Sequence, residues 1–252
     1  MNTDIRTFQL LGRCLGASAL AVSLVACGGS SSSTATPTPP AAAAFKGQYV
    51  ISINGTDPND GDYAVAGSLA FDGAGKITAG VADYNLGSGI DQGVQLTGTY
   101  TASGSTALVT LTDSGGTQDT FTATISGSSI AVQGFDGTGT GTMAAQAATT
   151  AYAPAGTYTY SLDGDGQNAL TSTGGFVVAG NTITSGTQKN TDGAVVTNYA
   201  SISGVVEPVQ ASGRGVAAIG PFTFAYYPVT ANSIVLVGLD DRALLSGTAQ
   251  KQ

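Results

Sequence analysis

From Phe45 onward, apolar and polar residues alternate with a period of two. That period puts successive side chains on opposite faces of an extended chain. Tyr49/Ile51/Ile53, Leu69/Phe71, Ile77/Ala79/Val81, Val94/Leu96 with Tyr100, Val109/Leu111, Phe121/Ala123/Ile125 and Ile130/Val132 each line one face, and a last strand falls near Thr140–Ala144. A second series follows: Tyr158/Tyr160/Leu162, Phe176/Val178, Ile183, Tyr199 to Val206, Val216 to Ile219, Phe222/Phe224/Tyr226, Ile234/Leu236 and Leu244–Thr248. Asn54-Gly55, Asp60-Gly61, Ser103-Gly104, Ser126-Gly127 and Asp136-Gly137 are hairpin-turn signals between the runs. No window keeps a helical period over three turns.

The two series are copies of one unit. Gly47-Gln48-Tyr49 matches Gly156-Thr157-Tyr158, and Ser52-Ile53-Asn54-Gly55 matches Ser161-Leu162-Asp163-Gly164. Ile77 to Gly80 matches Ile183 to Gly186, Leu96-Thr97-Gly98 matches Ile202-Ser203-Gly204, and Gly141-Thr142 matches Gly247-Thr248. About eight short sequential strands per copy suit a meander that closes on itself and so loses both edges. The expected fold is all-β, two tandem eight-stranded antiparallel meander barrels over 45–146 and 155–252, with 147–154 as the joint. Two β-sandwiches are the alternative. A single sixteen-stranded transmembrane barrel is disfavoured, because the strands read as shorter than the roughly 9–11 residues a bilayer needs and no aromatic girdle is evident. Tyr49, Ile53, Phe71 and Leu96 are expected inside the first copy, and Tyr158, Leu162, Phe176 and Ile202 inside the second. The pattern resembles repeat units of secreted bacterial proteins of unassigned function.

Ahead of the strands lies a different kind of sequence. Arg6 and Arg13 precede an uncharged apolar or small stretch, Leu15 to Ala26, which is too short to span a bilayer as a helix. Leu24-Val25-Ala26-Cys27-Gly28 closes it and resembles the lipobox of bacterial lipoproteins. The resemblance implies cleavage between Ala26 and Cys27 and a diacylglycerol on Cys27. Residues 1–26 are then a signal peptide. Because Gly28 is not Asp, it also points to the outer membrane. Residues 27–44 become the acylated cysteine and a Gly/Ser/Thr/Pro/Ala linker, without the apolar surface to offset chain ordering. Cys14 leaves with the leader, so the remaining chain cannot form an internal disulfide, and lipidation gives its lone cysteine a use.

Composition narrows the chemistry. After residue 26 there remain six Lys/Arg against fifteen Asp/Glu, with no His, no Trp and one Glu, Glu207. The acidic balance makes nucleic acid a poor partner. Without histidine there is no Ser-His-Asp triad, Cys-His dyad or usual zinc site. A Glu–Asp glycosidase pair would have to use Glu207, which precedes Pro208 in a turn-like stretch. Asp113-Ser114-Gly115 looks like the Asp-Ser/Thr-Gly of aspartic proteases, whose chemistry needs a second carboxylate. The second copy has none near Ala218-Ile219-Gly220. Asp57, Asp60, Asp62, Asp163 and Asp165 are weak calcium candidates in oxygen-rich loops after the first strand of each copy, without the full loop spacing or a distal Glu. Such loops equally use Asp, Asn and Gly as turn residues. The expectation is a non-enzymatic, cofactor-free lipoprotein on the periplasmic face or cell surface, anchored in the bilayer through Cys27. It would act as a structural module or bind a protein or glycan partner. The competing function is a carrier of a small apolar ligand inside a barrel.

Overall fold

In a computed structural model, the chain is described over residues 45–58, 61–147, 152–166, 168–241 and 243–252. The first copy is β1 (Lys46–Asp57), β2 (Gly61–Asp72), β3 (Lys76–Leu86), β4 (Gly89–Ser103), β5 (Thr106–Asp113), β6 (Gln118–Ser126), β7 (Ser129–Phe135) and β8 (Gly139–Ala145). Each strand pairs antiparallel with the next, and β8 returns to β1 to close an eight-stranded barrel. The second copy is β9 (Gly156–Asp165), β10 (Ala169–Ala179), β11 (Thr182–Asp192), β12 (Val195–Tyr199), β13 (Gly204–Val206), β14 (Gly215–Ile219), β15 (Phe222–Thr230), β16 (Ser233–Gly238) and β17 (Leu244–Lys251). Here β17 closes onto β9, and the ring runs β9, β10, β11, β13, β14, β15, β16, β17. Strand β12 hangs off β11 outside that ring.

The tandem barrels are those the alternation and the repeat predict, and the sandwich alternative is excluded by closure. Asn54-Gly55, read as a hairpin turn, lies inside β1, where the two residues pair with Ala64 and Tyr63. Three further details differ from the sequence reading. First, the strands are longer than read: β1 to β4 span 11–15 residues. Strand length therefore does not argue against one large barrel; closure of each copy on itself does. Second, the alternation Ile77/Ala79/Val81 does not share a face. The β3–β4 register shifts between Ile77 and Gly80, so Thr78 and Ala79 bulge outward into solvent and Val81 turns to the outer side of the barrel. A bulge inserts an extra residue and reverses the facing of everything beyond it. Third, Tyr199 to Val206 is not one strand. Residues 200–203 leave the sheet, splitting the counterpart of the 15-residue β4 into β12 and β13.

The repeat is explained by the way each barrel closes. Gly141 faces Ile53 across the β8–β1 seam, and Gly247 faces Leu162 across the β17–β9 seam. A Cβ at Gly141 would lie 2.0 Å from the Ser52 carbonyl oxygen, and one at Gly247 would lie 2.2 Å from the Ser161 carbonyl oxygen. Neither position has room for any side chain, so both copies keep glycine where the last strand crosses the first.

Both interiors are packed with inward side chains. The first core contains Ile53, Phe71 and Leu96, with Tyr49 half-buried against it. The second contains Tyr158, Leu162, Phe176 and Ile202. All eight residues expected inside therefore face their cores. A third apolar cluster lies between the barrels. Val50, Ala64, Ala66 and Val81 on the outer side of β1–β3 meet Ala225, Tyr227, Val235 and Val237 on the outer side of β15–β16.

Candidate functional site

The adjacent tyrosines of β15 show how the second barrel serves two cores. Tyr226 points inward and its hydroxyl donates to the Glu207 carbonyl oxygen, whereas Tyr227 points outward into the junction. Both are about 1 % exposed or less. The junction also holds an ion pair. Asp83 stands between Val81 and Asn85 on the outer stripe of β3 and is fully buried. Arg214, just before β14, donates from Nε to Asp83 Oδ2 at 2.7 Å and from Nη2 to Oδ1 at 2.8 Å. The Tyr227 hydroxyl donates to Oδ2, and the Gly93 amide donates to Oδ1 at 2.9 Å. Asn85 donates from Nδ2 to the Gly238 and Ala243 carbonyl oxygens, and Ser246 donates to Asn54 Oδ1. The Ser68 hydroxyl donates to Gln146 Oε1, whose amide donates to the Gly213 carbonyl oxygen.

Burial opposes the charge on Arg214, yet Asp83 raises its pKa above the ordinary value. Tyr227 is pushed far above the usual phenol range, first by burial and then by the Asp83 carboxylate. With four donors on its two oxygens, the Asp83 carboxyl group joins the two barrels.

The face of the first barrel that makes this junction is special to that copy. By register, Val50, Ala64, Ala66, Val81, Asp83 and Asn85 correspond to Thr159, Thr171, Thr173, Thr187, Lys189 and Thr191 in the second. Those counterparts are exposed or half-exposed. One copy carries an apolar outer face and the other a threonine face.

Inside the second barrel the packing is less apolar than in the first. Ser172 donates to Asn190 Oδ1, and Gln188 donates from Nε2 to both Ser172 Oγ and Asn190 Oδ1. The Tyr160 hydroxyl and Gln188 Oε1 are buried without a hydrogen-bond partner. Burial pushes the Tyr160 hydroxyl up to about 12, with the nearby Ser172 hydroxyl opposing it without reaching hydrogen-bond geometry. At Pro154, Phe176, Val206 and Tyr226 the interior leaves a void of only ≈ 10 Å³. That is about one water, against the roughly 300–1,000 Å³ of a small-molecule site. An open groove of ≈ 320 Å³ lies on the outside of the first barrel, over the β3 bulge, between Thr78, Gln95, Thr97 and Asp113.

Three tyrosines of the second barrel, with Tyr152 packed against its core, give the fold an alkaline limit. Burial raises Tyr152, Tyr160, Tyr226 and Tyr227 above the ordinary phenol value of 10.0. The native state then keeps protons that the unfolded chain releases near pH 10. Their stabilisation is complete below that pH and is lost as pH rises through the native values, for Tyr160 to about 12. The melting temperature should hold to about pH 9.5 and fall steeply by about pH 11, with tyrosinate absorbance at 295 nm appearing together with unfolding. A melting temperature unchanged through that range would contradict the burial of these hydroxyls.

The residues singled out from sequence are placed as follows. Asp113 Oδ1 accepts from the Gly115 and Thr117 amides at 2.8 and 2.9 Å, so Asp113-Ser114-Gly115 is a hairpin turn braced by its own aspartate. Glu207 is exposed between β13 and β14. Asp62 accepts a bond from Thr56, Asp165 from the Gly166 amide, and Asp163 lies on the outer face of β9. Asp57 ends β1, and Asp60 lies outside the described residues, as do Ala26 and Cys27. Among the described residues, no three acidic, His or Cys side chains come together as a metal cluster. The sequence reading missed the Asp83–Arg214 pair. Its signal was a lone charge in Val81-Ala82-Asp83-Tyr84, a strand otherwise without charge at that point.

No known family model matches the chain, and no curated protein matches it. Among solved structures, it is similar to a protein of unknown function from the DUF3598 family of Nostoc punctiforme PCC 73102. That similarity is 9 % in identity with a TM-score of 0.24, over 82 % of this chain and 96 % of the other.

Proposed function

We propose that this chain is an outer-membrane lipoprotein whose two fused barrels act as a rigid, non-enzymatic interaction module. The observation that carries the reading is that both interiors are filled by their own side chains while the junction is locked by Asp83, Arg214 and Tyr227. The void of ≈ 10 Å³ beside Phe176 and Tyr226 in the second barrel is far smaller than a small-molecule site, which counts against the apolar-ligand carrier there. A locked junction makes the pair one body, suited to presenting a surface. The acidic residues around the β1–β2 and β9–β10 connections, Asp57 and Asp62 in the first copy and Asp163 and Asp165 at the end of β9 in the second, are the proposed contacts for a protein or glycan partner, because both copies carry acidic residues at the end of their first strand. A diacylglycerol on Cys27, with the linker of residues 28–44, would hold that surface up to about 50 Å from the bilayer.

Metabolic labelling with an alkyne fatty acid tests the anchor. The wild type should be tagged and the Cys27→Ser variant should not, and the Ser variant should be released from membranes by a high-salt wash. Label on the Ser variant, or a mature N-terminus at another residue, would overturn the assignment.

A further inference from the structure

Each copy extends a hairpin beyond its barrel ring, and the two hairpins are finished differently. In the first copy, residues 89–95 of β4 pair with β3 alone, because β5 joins β4 only from Leu96 onward. That free edge is blunted. The register breaks between Ala82 and Tyr84, Gly93 takes φ +61°, and its amide turns away to bond Asp83. The charged Asp91 sits in the same stretch, and Val94 packs on the core. Bulges and charges are the devices by which sheet edges avoid adding a further strand.

Strand β12 has none of them. It pairs with β11 in unbroken register from Gln188–Tyr199 to Asp192–Val195. It carries no charge, proline or glycine, and reads Val195-Val196-Thr197-Asn198-Tyr199. Val195 and Val196 are 64 % and 50 % exposed. They point to opposite faces, so both faces of the hairpin are open at its tip, while Tyr199 at its base packs against the second core. Its second edge pairs with no strand of the described chain.

We propose that β12 is a self-association edge, pairing antiparallel with β12 of a second copy of this chain across a two-fold axis at Thr197. The sequence of the strand favours a copy of itself. With Thr197 facing its own symmetry mate, Val195 lies opposite the other copy's Tyr199, and Val196 opposite Asn198. Both exposed valines gain a neighbour, one of them an aromatic ring, and such pairs stabilise antiparallel sheets. The chain is acidic overall, with a net charge of −8, yet β12 has no charge, so the seam brings no like charges face to face. Flanking it, Lys189 of one copy shares a row with Thr191 of the other, and Gln188 with Asp192. The result is a continuous four-stranded sheet, β11–β12–β12–β11, in a closed isologous dimer.

The two-fold makes a direct test. Facing residues of antiparallel strands have Cα atoms about 4.5–5.5 Å apart, within disulfide range. The full chain carrying Thr197→Cys should form a disulfide-linked dimer in membranes under mild oxidation, roughly ten-fold above the wild type, which sets the background. Val205→Cys, on the outer face of β13 and 55 % exposed, should stay at background. Adding Val196→Lys to the Thr197→Cys chain should abolish the dimer band by placing two charges beside the axis. A monomeric Thr197→Cys chain, equal cross-linking through Val205→Cys, or a band that Val196→Lys leaves unchanged would overturn the proposal.

Discussion

Replacing Asp83 by Ala is expected to destabilise the protein by about 3–5 kcal/mol, the usual effect of removing one member of a buried ion pair. The loss comes from what is left behind. Arg214, with an 11 % exposed side chain, keeps its charge without a counter-ion, and Tyr227 and Gly93 lose their acceptor. At roughly 2–4 °C per kcal/mol for a chain of this size, the melting temperature should fall by about 10 °C. Arg214→Met should cost a similar amount by stranding the carboxylate. The double variant Asp83→Leu/Arg214→Met should recover most of the loss, because apolar side chains of similar volume avoid the desolvation that the pair itself bears. Thermal or urea unfolding of Asp83→Leu, Arg214→Met and the double variant completes the cycle. Additive losses would show that the two side chains do not meet, and would remove the junction as a rigid body.

The second large effect is in the first barrel. Phe71 sits among Phe45, Tyr49 and Tyr100, with ring centroids 5.3–5.5 Å apart. The Tyr100 hydroxyl donates to the Phe45 carbonyl oxygen at 2.9 Å, fixing that residue across the end of the barrel. Phe71→Ala leaves a hole that this tethered cluster cannot collapse to fill, and should cost about 3–5 kcal/mol. Phe71→Leu, which keeps most of the volume, should cost clearly less. Equilibrium unfolding in urea measures both. A loss for the alanine variant within about 0.5 kcal/mol would place Phe71 at the surface.

The two variants also probe how the barrels are coupled. Phe71 belongs to one core, whereas Asp83 belongs to the junction. If the junction makes the barrels one cooperative unit, Phe71→Ala lowers a single transition. Asp83→Ala weakens the link and should separate the transitions of the two barrels.

Much of the architecture was legible from residue pattern. Period-two alternation in both copies predicts strands, turn pairs such as Ser126-Gly127 and Ser103-Gly104 mark hairpins, and the match of Gly141-Thr142 with Gly247-Thr248 marks the last strand of each copy. Inward residues could be named because alternation assigns faces so long as the register is unbroken. It failed where the register breaks. Thr78 and Ala79 form a bulge, so Val81 lies on the outer face although it is in step with Ile77. Nothing in Ile77-Thr78-Ala79-Gly80 announces the extra residue. Likewise, the matched copies predicted one strand through Tyr199–Val206. Whether residues 200–203 stay in the sheet depends on neighbouring strands distant in sequence.

Local pattern thus determined the strand content, the two copies, the closed meander topology and the composition of each core, because all of these follow from alternation and turns acting over a few residues. Tertiary structure alone decided which outer faces are covered. Nothing in the sequence marks Ala64, Ala66 or Asp83 as interface residues, and Val81 reads there as in step with the inward Ile77. They become a buried interface only because Arg214 and Tyr227, 131 and 144 residues away, arrive opposite them. Partner choice between two surfaces depends on shape and charge brought together by the whole fold, and no periodicity within either strand encodes it.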